Sequence, residues 1–148
     1  MNVLVDTGVW SLALRRRHFS LDPAVLELRE LIREGRAHLI GPIRQEVLSG
    51  IREKAQFDRL RANLREFPDL PVQTADHERA AEFFNVCRSR GIQGSNTDFV
   101  ICAIANRYGL AILATDGDFP LVAPHLPIQL HAPRGAQLQP EHQDPKPY

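Results

Sequence analysis

Residues 94–119 read GSNTDFVICAIANRYGLAILATDGDF, and the rest of the chain is organised around them. Phe99, Val100, Ala103 and Ile104 recur at helical spacing, with Thr97 or Asn96 as the expected cap and Asp98 in the first turn. Gly109 ends that helix. Ala111 to Ala114 are too few and too uniformly apolar for a half-exposed element, and they suit the centre of a parallel sheet covered on both faces. Asp116 and Asp118 follow the carboxyl end of that strand, which is where open α/β sheets bind ligands.

Upstream, residues 2–5 (NVLV) predict a first strand, and Asp6-Thr7 turns it into a helix through Trp10, Leu12 and Leu14. Asp22-Pro23 starts a second helix, Asp as cap and Pro at the first position, with Val25, Leu26, Leu28, Leu31 and Ile32 facing inward. His38–Ile40 is a brief second strand. Gly41-Pro42 opens a helix carrying Ile43, Val47 and Leu48, with Glu46 one turn inside it. An amphipathic helix is expected over Glu53–Phe67, then a loop with a possible short strand at Pro68–Val72, then a helix from Thr74 to Arg90 supported by Asp76 and Glu78. Pro127–Leu130 reads as a last strand at the sheet edge. This alternation predicts an α/β fold, a three-layer sandwich with a mainly parallel central sheet. Residues 1–132 are expected to form one domain, and residues 133–148, polar and rich in Pro and Gln, a disordered tail.

At 148 residues the chain can bury a sizeable core, and it holds no apolar run near the roughly 20 residues of a membrane span. Met1 leads directly into a strand instead of a secretory signal, so a cytoplasmic protein is expected. Cys87 and Cys102 lack any metal-binding or redox spacing and read as reduced core thiols. The formal net charge is zero, yet Lys54 and Lys146 are the sole lysines among 18 cationic side chains. Arg is the better bidentate partner for phosphate, and runs such as Arg15, Arg16 and Arg17, or Arg52, Arg59, Arg61 and Arg65, can make a locally basic surface.

Five acids stand near the carboxyl ends of expected strands: Asp6 after the first, Glu46 beyond the second, and Asp98, Asp116 and Asp118 around Ala111–Ala114. Two carboxylates about 4 Å apart repel by roughly 4 kcal/mol at an effective dielectric of 20. A divalent cation offsets that repulsion, and all-oxygen ligands favour Mg²⁺ or Mn²⁺ over Zn²⁺. Such a centre suits in-line hydrolysis of a phosphodiester, with Thr7, Thr97 or Thr115 available to position water and Arg side chains to hold the backbone. Each acid alone is as well explained by a helix cap or a solvated surface. Their order along the chain carries the functional reading.

The segments VDTGVW with Asp6, GPIRQEVLSG with Glu46, NTDFVICAIA with Asp98, and LATDGDF with Asp116 and Asp118 resemble, in order and spacing, the PIN-domain ribonucleases. More narrowly, they resemble the VapC-type toxins of bacterial toxin-antitoxin modules. The resemblance covers about residues 2–131 and implies a metal-dependent endoribonuclease that cuts tRNA, rRNA or mRNA, acts as a homodimer, and is inhibited by a cognate antitoxin. It implies Asp6, Glu46, Asp98 and Asp116 as the catalytic quartet and Asp6, Asp98 and Asp116 as metal ligands, with Asp118 and Thr7 as accessory residues. Whether Asp116 or Asp118 points inward is open. A phospho-acceptor domain is disfavoured because Val5, not a second acid, precedes Asp6. No GxGxxG follows the first strand, so dinucleotide binding is excluded. The remaining alternative is a non-catalytic module of the same fold that binds RNA or protein.

Overall fold

Four parallel strands make up the sheet of the computed structural model, which describes residues 1–15 and 21–135. They are β1 (Val3–Val5), β2 (Ala37–His38), β3 (Ala111–Leu113) and β4 (Gln129–Leu130), in the order β2-β1-β3-β4. Among the described residues, seven helices flank them: α1 (Thr7–Arg15), α2 (Pro23–Arg33), α3 (Gly41–Leu48), α4 (Lys54–Leu64), α5 (Thr74–Ser89), α6 (Asn96–Tyr108) and α7 (Asp118–Val122). The architecture is a three-layer α/β sandwich. Arg16, Arg17 and residues 136–148 of the expected tail lie outside the described residues. No described helix is long and apolar enough to cross a membrane.

The central pair β1 and β3 is apolar throughout, with Val3, Leu4, Val5, Ile112 and Leu113 at most 1% exposed, as a parallel strand covered on both faces requires. β4 is exposed and lies at the edge, as Pro127 ahead of it predicts. Its neighbours pair in register, Val5 opposite Leu113, and the Asp6 N–H continues the ladder to the Leu113 carbonyl at 2.9 Å. The chain leaves β1 toward β2 on one side and β3 toward β4 on the other. The strand order therefore reverses between β1 and β3, and the crevice at their carboxyl ends is the natural ligand position.

The helices follow from local chemistry with a few corrections. Asp22 caps α2 by accepting the Ala24 N–H at 2.9 Å, ahead of Pro23. Leu26 and Ile32 do not face inward: each is 38% exposed and flanks the buried stripe of Ala24, Leu28 and Leu31. Asp76, not a Thr74 cap, closes the first turn of α5, its Oδ2 accepting the Gln73 N–H at 2.8 Å. Burial alone would raise the Asp76 carboxyl, but the Arg107 guanidinium, donating to both its oxygens at 2.7 and 2.8 Å, holds it below its usual range. Arg107 also donates to the Pro71 carbonyl, so one side chain fastens α6 to α5 and to the loop before it.

The second strand is shorter and earlier than the sequence suggests. Leu39 and Ile40 leave the ladder, fully buried, and Leu39 pairs instead with Asp69 through an isolated parallel bridge. α4 likewise spans only Lys54–Leu64. Beyond β4, Glu27 of α2, 3% exposed, lies 2.8 Å from His131 Nε2 and 3.1 Å from Arg134 Nε, so the described chain remains tied to the sandwich through Arg134. Cys87 and Cys102 are buried and unbridged.

Candidate active site

Three close packings bring the strand ends together. Trp10, in the first turns of α1, donates from Nε1 to the Val5 carbonyl at 3.0 Å and packs edge-on against Phe67, fixing how α1 leaves β1. Gly8 faces the turn after β3 so closely that a methyl group there would stand 2.7 Å from Thr115 Oγ1. Only glycine lets these two segments approach in that way. At the start of α6, Ser95 and Asp98 form a reciprocal pair: Ser95 Oγ accepts the Asp98 N–H, and Asp98 Oδ2 accepts the Ser95 N–H, each at 3.1 Å. Ser95 is thus the cap, in place of Asn96 or Thr97. The S-x-x-D pattern at 95–98 is the signal that identifies it.

The acids gather where these segments meet. Asp98, Asp116 and Asp118 each present a carboxylate oxygen within 4.8 Å of the other two. Asp116 Oδ1 accepts the Asp118 N–H at 2.5 Å, so the turn after β3 contributes both residues to the group rather than one or the other. Asp6, only 5% exposed, lies close enough to Asp98, Asp116 and Glu46 for all three to act on it. Glu46 comes in from α3 through Thr7, whose hydroxyl donates to Glu46 Oε2 at 2.7 Å across 39 residues of sequence.

The electrostatics match the geometry. Burial, followed by repulsion from Asp98, Asp116 and Glu46, pushes the Asp6 carboxyl up to about 6 against the hydrogen bond from the Thr7 backbone. Burial raises Asp98 as well, Ser95 opposes it, and Asp116 and Asp118 raise it further. The charged neighbours that move both groups are other carboxylates. Cys102, on α6 beneath Asp98, is pushed up to about 12 by burial and the same acids, so it remains a protonated thiol and is no ligand. The donor set is therefore all carboxylate oxygen, which fits a hard divalent ion and not zinc.

Several arginines do structural work instead of lining this basin. Arg15 donates to the Val47 and Ser49 carbonyls at the end of α3, at 2.7 and 2.8 Å, and Arg61 pairs with Asp58. Arg52, Arg59 and Arg65 are exposed around α4.

Comparison with known proteins gives a consistent result. The family model described as the PIN domain matches residues 3–123. The chain is 31% identical over 125 residues to the VapC ribonuclease Mb1587 of Mycobacterium bovis, an alignment covering 82% of this chain and 91% of that protein. The same figures hold for ribonuclease VapC11 of Mycobacterium tuberculosis. Among solved structures, FitAcB from Neisseria gonorrhoeae superposes with a TM-score of 0.70 at 20% identity, covering 88% of this chain and 97% of that one, a likeness of fold.

Proposed function

The chain belongs to the PIN-domain family and is of the VapC ribonuclease type, and on that premise we propose that it is a divalent-metal-dependent endoribonuclease, the toxin of a toxin-antitoxin pair. One observation carries the metal-dependent reading: carboxylates from β1, α6 and the turn after β3 share a basin in which the Asp6 carboxyl is pushed up to about 6. Asp6, Asp98 and Asp116 would hold Mg²⁺ or Mn²⁺, whose chemistry there is to neutralise phosphoryl charge and acidify a water. Glu46, oriented by the Thr7 hydroxyl on Oε2, takes the proton of the attacking water. Asp118 supports Asp116 through its backbone N–H. The water oxygen bonds to phosphorus as the bond to the leaving oxygen breaks, and that oxygen takes a proton from solvent. The protein acts on RNA in the cytoplasm as a homodimer, and a cognate antitoxin restrains it.

Incubating the full chain with single-stranded RNA tests this. We expect cleavage with Mg²⁺ or Mn²⁺, none in EDTA, and an RNA affinity that falls about tenfold or more between 50 and 200 mM salt as phosphate contacts are lost. Equal cleavage in EDTA, or no cleavage of any RNA, contradicts the proposal.

A further inference from the structure

Phe84 of α5 borders two cavities beside the acidic basin. One, of about 300 Å³, is lined by His77, Asn85, Asn96 and Phe99, and the other, of about 330 Å³, by Arg88, Gln93 and Gly94. The Phe84 ring is half-buried and meets Phe99 edge-to-face, with centroids 5.6 Å apart at 76°. Phe99 is itself 1% exposed, so a rigid neighbour fixes one side of Phe84 while the cavities border the other.

Both cavities run up to the acids. A methyl group at Gly94 would lie 3.1 Å from the Phe99 ring and 3.8 Å from Asp98 Oδ2, so a side chain there would crowd the passage. Asn96 stands two residues before Asp98. No carboxylate lines either cavity: the lining polar groups are amides, an imidazole and a guanidinium. The surface thus changes from repelling a polyanion to accommodating one within a few residues.

We infer that this groove is a base subsite for single-stranded RNA, an inference that rests on the nuclease reading. An unpaired nucleobase next to the phosphate held at the acids stacks on Phe84. The amides of Asn85 and Asn96 can both donate and accept, which suits the edge of a base. Arg88, exposed at the far side, meets a neighbouring phosphate. Small clefts of this volume accept one flat ring, whereas bases stacked inside a duplex do not reach them, so the substrate class is unpaired RNA.

The test uses the full chain and a short single-stranded RNA carrying 2-aminopurine at one position at a time. Binding is read by fluorescence in EDTA, and base preference at the cut is read in Mn²⁺. We expect quenching at one position only, affinity about tenfold weaker in Phe84→Ala, and a flattened base preference with kcat within twofold in Asn85→Ala, an exposed substitution that leaves the core untouched. Position-independent quenching, or unchanged affinity and preference in both variants, overturns the subsite while leaving the nuclease reading standing. Position-limited quenching that depends on Phe84, without cleavage by the wild type, supports the subsite and removes the nuclease reading. A change of oligomeric state in Phe84→Ala with unchanged RNA binding assigns the groove to contacts between copies and also overturns the subsite.

Discussion

Replacing Asp98 with Asn is expected to lower metal-dependent RNA cleavage by at least about 100-fold while leaving the protein folded. Asp98 supplies one of three carboxylate oxygens lying within 4.8 Å of one another, and an amide in its place removes a charge from the basin without changing its shape. An amide oxygen can still accept the Ser95 N–H, so the cap on α6 survives. Removing one electrostatic contact that matters only as charge develops typically costs two to three orders of magnitude in rate, or about 3–4 kcal/mol. Steady-state cleavage of a defined RNA, with circular dichroism as the folding control, measures this. Cleavage within tenfold of wild type would show that Asp98 does not serve the chemistry.

Replacing Asp6 with Asn is expected to stabilise the metal-free protein at neutral pH, by up to about 3 kcal/mol. The folded state raises this carboxyl from 3.8 to about 6, so the ionised form is disfavoured by folding. Below about pH 4 Asp6 is protonated in both states and contributes no penalty. As pH rises from 4 to above 6, the unfolded chain releases its proton first, and stability falls across that window. Asp98, raised for the same reasons, adds to the trend, whereas Asp76, held below its usual range, opposes it only at lower pH, where its ion pair with Arg107 is lost. Urea melts of both proteins in EDTA at pH 4.5 and 7.5 should show wild type losing stability over this interval and Asp6→Asn losing less. Equal pH dependence in the two proteins would contradict the account. The same substitution should abolish cleavage, so stability and activity move in opposite directions, as they do where function retains repulsion that folding alone would remove.

The sequence made the sheet core and the acids legible for a physical reason. A parallel strand covered on both faces must be a continuous apolar run, and VLV and AIL are that; the residue after each run then falls at the carboxyl end, which places Asp6 and Asp116 before any coordinate is known. Glu46 was harder to place. Its position depends on a hydrogen bond to Thr7, 39 residues away, and no local pattern encodes that pairing. Asp116 against Asp118 could not be decided from spacing because the turn after β3 has no fixed period, and both residues enter the group through the bond between them. The cap at Ser95 was available in the S-x-x-D pattern but hidden by two other good capping residues, Asn96 and Thr97, immediately after it. Leu26 and Ile32 show the limit of periodicity, since apolar residues flanking a stripe look the same in sequence as those within it. The Phe84 groove was invisible, since a cavity arises from how α5 and α6 pack and leaves no motif in either.

Titration with Mn²⁺, followed by calorimetry and by the melting temperature, tests most directly whether these acids form a single cation centre. Wild type should bind Mn²⁺ and melt higher as the ion is added, by roughly the stabilisation that a site-specific ligand confers at concentrations well above its Kd. Asp6→Asn and Asp98→Asn should each lose both the binding heat and the shift. Mn²⁺ binding of unchanged strength in both variants, or no binding to wild type, would contradict the account.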